Sequence, residues 1–198
     1  MTDCTREEIE TKLAVEGEEK SSFASMDLSG LDLSGLVFAG MDLNGANLEK
    51  ANLEGADFTG ANLEKASLKN ANLKGAKFNS AKLAEVDFSK VKLDGFDFSN
   101  ADLSKSNLSE ASLGDANFAN ARLTGANLAK ANLEGADFRG AQLGEVNLSE
   151  ANLHRAAISR ADLTKANLAG ANLSEADLTR SNFKNSDYSR ANLTDAKL

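Results

Sequence analysis

Every fifth residue from Leu28 to Leu198 is large and apolar, and this spacing constrains the fold more than any other feature of the chain. These 35 positions hold 25 Leu, eight Phe, one Ile and one Tyr, without a slip in register or an insertion. A period of five fits neither the 3.6-residue turn of an α-helix nor the two-residue alternation of a plain strand. In a helix, the Leu residues would spread around the whole circumference and leave no apolar stripe.

Each group of five residues instead predicts a short extended piece followed by a corner. Two residues before each central residue lies what we term the alanine position, where 24 of 35 residues are Ala. Because side chains two apart in an extended chain point to the same side, the Ala and the central residue both face inwards. The remaining residues are pairs such as Ser-Gly, Glu-Gly and Asn-Gly, which are typical of turns.

A second period of twenty residues predicts how these pieces stack. Phe occupies the central position at intervals of twenty over most of the chain, so four pentads make one coil and the same side returns in the next. Like residues then lie about 4.8 Å apart, as in a strand ladder. Residues 26–198 would form about 8.6 coils, with a core column of Phe38, Phe58, Phe78, Phe98, Phe118 and Phe138.

The tandem pattern Ala-(Asn/Asp)-(Leu/Phe)-x-x, unbroken over residues 26–198, resembles the pentapeptide-repeat family. The resemblance implies an all-β fold, a right-handed quadrilateral β-helix, which agrees with the coil of four pentads. It implies little about activity, because most members of the family have none assigned.

The two ends of the chain differ from the repeats. Residues 1–25 form an acidic segment with a capping helix predicted over about 5–19, because Thr5 and Glu8 match a capping box and Ile9 and Leu13 form an apolar face. Such a helix would cover the core of the first coil. At the other end the repeats stop in register, which predicts a homodimer through the last coil or a longer natural chain. The candidate dimer residues are Phe183, Tyr188, Leu193 and Leu198.

Composition offers little material for catalysis. Cys4 is the single cysteine, His154 is the single histidine and lies at a corner, and nucleotide-binding or metal-ligand motifs are absent. We therefore predict a protein that is not an enzyme and has no cofactor, metal or catalytic residue. The N-terminus lacks a signal peptide and no run of 18 apolar residues occurs, which predicts a cytoplasmic protein that does not contact membranes.

One irregularity interrupts the alanine positions in the middle of the chain. Val86, Val91 and Phe96 place bulk at three successive alanine positions. Two interpretations follow from the sequence: a locally widened or bent coil with compensating packing, or a bend that shapes a surface for a partner.

The charges of the faces bear on two hypotheses of function. We number the faces I to IV, centred on residues 28, 33, 38 and 43 and every twentieth residue thereafter; within residues 26–198 their net charges are −1, −4, +1 and 0. The acids of face II form a candidate interaction surface: Asp32, Glu54, Asp94, Asp115, Glu134, Glu175 and Asp195.

The favoured function is a structural or protein–protein interaction module of unknown partner. The alternative is a DNA mimic that binds DNA gyrase or topoisomerase, as one branch of the family does, although duplex DNA carries far more charge. The balanced charge of the repeats predicts no direct binding of nucleic acid.

Overall fold

The computed structural model describes residues 5–14 and 22–198, and the second range winds into a four-sided solenoid. Each bridge is parallel and joins residues twenty apart, from Ser22 and Asp42 at one end to Asp177 and Lys197 at the other. The ladder thus begins four residues before the predicted start at 26. Each side contributes one bridging residue per coil, so the described residues contain only isolated bridges and no longer strand. The reason is that a corner follows every extended piece.

The corners depend on two local devices. The last residue of each pentad has a positive φ, at 12 Gly residues and at 23 residues of other types within the described chain, such as Lys50 with φ of 59°. The Asn or Asp before the central residue accepts a hydrogen bond from the backbone two residues later, as Asn47 does from Glu49 at 3.1 Å. This Asx turn explains why short polar side chains recur at that position, because they hold the backbone in the turn.

The core is a continuous column of buried central residues flanked by Ala. The six Phe residues predicted for the core are all buried on face III. Their rings stack along the solenoid at centroid distances of 5.2, 5.4, 5.8, 5.3 and 4.8 Å. In the regularly stacked coils, the backbone N–H of the central residue donates to a carbonyl of the next coil, as Leu53 does to Asn72 at 2.8 Å.

One helix, α1 (Arg6–Leu13), is found among the described residues. Its capping box is formed: the backbone N–H of Thr5 donates to Glu8 at 2.9 Å, and that of Glu8 donates to the Thr5 hydroxyl at 3.3 Å. Ile9 is fully buried against the solenoid. The Arg6 guanidinium donates to the carbonyls of Asp32 and Ser34 at 3.0 and 3.1 Å, which joins α1 to face II of the first coil. The predicted extension of the helix to residue 19 lies mostly in residues 15–21, outside the described part.

At eight residues, α1 is too short to cross a membrane, and the described ranges contain no other helix.

Candidate functional site at a split between two coils

The ladder of coils is interrupted at one place, between residues 66–79 and 86–98, which we call the split. Three bridges are missing there within the otherwise regular ladder of residues 22–198: 67 with 87, 72 with 92, and 77 with 97. Eight backbone hydrogen bonds of the regular pattern are also absent between these described residues. The N–H groups left without a backbone partner belong to Leu68, Asn70, Leu73, Gly75, Phe78, Asp87, Lys92 and Asp97.

The split coincides with the bulky residues at the alanine positions. Phe96 inserts beside the Phe column, with ring centroids 6.3 Å from Phe78 and 6.1 Å from Phe98. Phe88 meets the same two rings edge-on at 6.1 and 6.0 Å. When coils stack at their regular spacing, the interior is filled by Ala at the alanine positions. It has no room for the added volume of these larger side chains, so the coils separate.

Isolated bulk does not open the ladder. Val146 also occupies an alanine position, yet the bridges of Asn147 to Asn127 and Asn167 are both formed. The first coil carries Met26, Leu31, Leu36 and Met41, and its bridges to the second coil are formed as well. Among the described residues only 22–25 and α1 lie beneath the first coil, so its bulk is taken up at the end that α1 covers. The split therefore requires successive bulky residues inside the stack, where coils press from both sides.

Face IV stays closed and acts as the hinge of the split. The backbone N–H of Ser80 donates to Ser99 at 2.8 Å, at the corner between faces III and IV. Lys82 bridges both Asn62 and Asp102 on face IV. The split consequently opens on faces I, II and III, and the two halves of the solenoid remain joined along face IV.

A cavity of about 490 Å³ lies in the split on face II. Its apolar floor includes Leu73, which is 5% exposed, whereas Leu53 and Leu93 in the neighbouring coils are fully buried. The walls combine backbone, apolar side chains and charged groups. The lining residues are Ala71, Asn72, Leu73, Lys74, Gly75, Val91, Lys92, Asp94 and Phe96.

Polar side chains on the two sides of the cavity bond away from it. On one side, Asn72 donates to Asn52 at 2.9 Å and Lys74 pairs with Glu54 at 2.8 Å. On the other side, Asp94 accepts from the Ser112 hydroxyl at 2.7 Å and from the backbone of Gly114 at 2.8 Å. No side-chain hydrogen bond or ion pair of the described residues crosses the split. On faces I to III the halves thus contact each other through the interior, where Phe78 meets Phe96 and Phe98.

The seven acids predicted as an interaction surface follow face II, but three of them are paired with cations. Asp32 lies 3.8 Å from Arg6, and Glu54 and Glu175 pair with Lys74 and Arg155 at 2.8 and 2.9 Å. The pKa of Glu54 lies below its ordinary value of 4.5, because Lys74 donates a hydrogen bond to it and adds its positive charge. The Arg155 guanidinium lowers the pKa of Glu175 in the same way. Face II is therefore a mixed surface and not a continuous acidic stripe.

The residues predicted for a dimer contact are accessible on the last coil. Tyr188, Leu193 and Leu198 are 56%, 38% and 84% exposed, and Phe183 is half-buried, whereas Leu178 one coil earlier than Leu198 is buried. The dimer stays a prediction.

His154 lies on face II outside the split, with Nδ1 2.9 Å from the hydroxyl oxygen of Ser174 and Nε2 3.9 Å from Glu175. Within residues 5–14 and 22–198, no three His, Cys, Asp or Glu side chains gather as a metal site would require. Cys4 lies outside the described residues. The sequence interpretation did not identify the unpaired amides of Leu73 and Gly75, although Val86, Val91 and Phe96 were the signal for them.

Models of pentapeptide-repeat sequences match almost the whole chain. The model described as "Pentapeptide repeat region" matches residues 19–88, 71–148 and 91–168, and that described as "Pentapeptide repeats (8 copies)" matches residues 156–195. The chain belongs to the pentapeptide-repeat family. This membership confirms the resemblance seen in the sequence. The family's solved members form right-handed quadrilateral β-helices, in agreement with the four-sided coils described above.

Among solved structures, this pentapeptide-repeat chain is similar to HetL from the cyanobacterium Nostoc sp. strain PCC 7120, a protein involved in heterocyst differentiation regulation. The two are 29% identical with a TM-score of 0.69, over 98% of this chain and 94% of HetL. Rfr23 from Cyanothece 51142 is 28% identical, over 57% of this chain and 87% of that one, with a TM-score of 0.46. QnrB1, a plasmid-mediated fluoroquinolone resistance protein, is 20% identical over 82% and 89%, with a TM-score of 0.34. No curated protein matches the sequence.

Proposed function

We propose that this pentapeptide-repeat protein is a non-enzymatic protein-interaction module that binds its partner on face II, at the split. The observation that carries the proposal is the interrupted ladder, because unpaired backbone groups stand beside a cavity in a rod whose other coils are regularly bonded. Repeat proteins commonly present extended surfaces to partners. A local irregularity provides one distinct position on such a surface at which a partner can bind. The partner's identity is open.

The similarity to HetL supports a function of this kind. HetL is involved in the regulation of cell differentiation, and its structure matches nearly the whole of this chain. We extend to this chain only a role in regulation, and we propose that it acts through contact with another protein.

The charges of face II argue against DNA mimicry. Duplex DNA carries one charge per ~1.7 Å of its axis. Three of the seven acids on face II are paired with Arg or Lys, and the neighbouring faces are near neutrality. We expect no inhibition or protection of DNA gyrase in a supercoiling assay at micromolar protein. Inhibition at that concentration would favour mimicry.

Site-specific photocrosslinking tests the interaction module. A photoreactive amino acid at Lys74, which lines the cavity, is expected to capture a discrete partner in the cells that make this protein. The matched control carries the same group at Lys82 on the closed face IV, where we expect no such adduct. Adducts of equal yield from both positions, or none from either, would rule out a partner at the split.

A further inference from the structure

We propose that the split binds an extended segment of the partner, which pairs with the exposed backbone edge on face II and places an acidic side chain beside Lys92. This inference rests on the interaction function proposed above and specifies the chemistry of the partner.

The first argument is the arrangement of unpaired backbone groups. On one side of the cavity, the N–H groups of Leu73 and Gly75 lack the backbone acceptors that their equivalents Leu53 and Gly55 find at 2.8 Å. On the other side, the N–H of Lys92 lacks the acceptor that Asn72 finds in the coil below at 2.9 Å. Donors and acceptors spaced as along a strand are those that an extended peptide satisfies when it adds to a sheet edge. Leaving such groups without partners is costly once water is excluded.

The second argument is the shape of the cavity. The extended part of one side is about three residues long, or roughly 10 Å at the rise of a strand. A segment of that length would run along face II at the mouth of the cavity, beside the backbone edge of residues 71–75. The floor formed by Leu73, Val91 and Phe96 offers apolar contact to one inward-pointing side chain of the segment. A volume of about 490 Å³ also falls in the range of binding pockets.

The third argument is the charge at the mouth. Lys92 makes no ion pair within residues 22–198, whereas Lys74 is held by Glu54 at 2.8 Å. Asp94, the nearest acid in sequence, accepts hydrogen bonds from Ser112 and Gly114 in the next coil. In six other coils of face II, the position of Lys92 is occupied by Asn residues that bond to one another or to Asp between coils. A free ammonium in their place favours an acidic side chain on the segment.

The test measures binding of an array of pentapeptides whose central residue is Glu, Gln or Lys and whose flanking residues are all combinations of Val, Thr and Ser. We expect Glu-centred members to bind the full chain, and their Gln counterparts to bind roughly tenfold more weakly. Backbone N-methylation should abolish binding because it removes the donors of the peptide. The variant Lys92→Asn should bind Glu- and Gln-centred members equally.

Closing the split supplies the decisive comparison. The triple variant V86A/V91A/F96A is expected to lose peptide binding, whereas V146A, a matched Val→Ala change in an intact part of the ladder, should keep it. Hydrogen exchange reports folding of each variant, and peptide binding should slow the exchange of the Leu73 and Gly75 amides in the wild type.

Three outcomes would overturn the inference. One is that no peptide of the array binds the wild type more tightly than the triple variant. Another is equal binding of N-methylated peptides together with full competition by succinate, which would indicate a site for small anions. The third is a partner photocrosslinked at position 74 whose contacting segment is helical, which would leave the interaction function standing and reject the extended segment. Absence of any crosslink would instead reject the interaction function itself.

Discussion

The rings of Phe78 and Phe96 lie nearly parallel, 22° apart, with their centroids 6.3 Å from each other on opposite sides of the split. Phe78 is a central residue of the Phe column, and Phe96 occupies an alanine position in the next coil. The contact joins two coils whose backbone ladder is open on three faces. The same bulk that separates the coils therefore also holds their interiors together, and this predicts how variants of these residues behave.

Removing the bulk should close the ladder. In V86A/V91A/F96A the inner volume matches that of the other coils, so the bridges of residues 67, 72 and 77 to the next coil can form. We expect the amides of Leu73 and Gly75 to exchange at least about tenfold more slowly, approaching Leu53 and Gly55. Amide hydrogen exchange followed by NMR measures this. Unchanged exchange at Leu73 and Gly75 would show that bulk is not the cause of the split.

Adding the same bulk elsewhere should open the ladder. Ala126, Ala131 and Ala136 are buried alanine positions on faces I, II and III of a regular coil. We expect A126V/A131V/A136F to expose the amides of Leu113 and Asp115 to exchange and to cost about 1–3 kcal/mol per substitution from overpacking. Chemical denaturation and hydrogen exchange measure the two effects. The single variant A126V is the control and should leave the ladder closed, as Val146 does; an open ladder there would contradict the requirement for successive bulk.

The Phe column should contribute through stacking as well as through volume. Phe118 lies between Phe98 and Phe138 at 5.3 and 4.8 Å. Phe118→Leu keeps an apolar residue that the other faces use at the same position, so we expect a loss of about 1–2 kcal/mol of unfolding free energy from the two ring contacts. Phe118→Ala leaves a cavity and should cost about 3–5 kcal/mol. Denaturant unfolding compares them, and an unchanged stability of Phe118→Leu would mean that stacking contributes nothing.

Burial of Ile9 should stabilise the docking of α1 on the first coil. It is fully buried, and an isolated helix of eight residues is not stable in water. Ile9→Ala is expected to cost at least about 2 kcal/mol of docking free energy, which corresponds to roughly 30-fold faster exchange of the Ala14 amide. The exposed Thr11→Ala on the same helix is the control and should change exchange little. An Ile9→Ala variant with unchanged exchange would show that α1 is held by the contacts of Arg6 alone.

The Asx turns predict a loss of stability in acid. Hydrogen bonds from the hydroxyl and the backbone N–H of Thr164 hold the pKa of Asp162 below its ordinary value of 3.8. The same pair of bonds from Thr59 and Thr179 lowers the pKa of Asp57 and Asp177, and Arg139 lowers that of Asp137. A depressed folded-state pKa stabilises the protein at pH values above the unfolded pKa, and that contribution is lost as the pH falls through the folded pKa.

We therefore expect the urea concentration at the midpoint of unfolding to be nearly constant from pH 5 to 7 and to decrease as the pH is lowered below about 4. Replacing Asp57, Asp137, Asp162 and Asp177 with Asn keeps an acceptor for the turn, as Asn152 shows with the backbone of His154. This variant should lose part of the acid dependence while remaining folded at pH 7. An identical pH profile for variant and wild type would contradict the assignment.

Much of the fold could be predicted because its determinants are local and repeated. The period of five places Leu and Phe inwards, the period of twenty stacks Phe38 on Phe58, and Thr5 with Glu8 marks the start of α1. The first and the last depend on residues within one pentad or one helical turn, and the period of twenty is visible because it recurs in coil after coil. The candidate acids of face II likewise share a face because the period of twenty is never broken.

The sequence by itself determined the coil, its four faces and the position of the irregularity at Val86, Val91 and Phe96. Only the tertiary structure decided that this irregularity parts the coils instead of widening one of them, and that Lys74 bonds to Glu54 on its own side of the gap. The physical reason is that a side chain added to a close-packed interior is accommodated jointly by both adjacent coils and their backbone hydrogen bonds. Whether the side-chain packing or the backbone hydrogen bonds are disrupted depends on contacts between residues twenty apart, and no single pentad specifies that outcome.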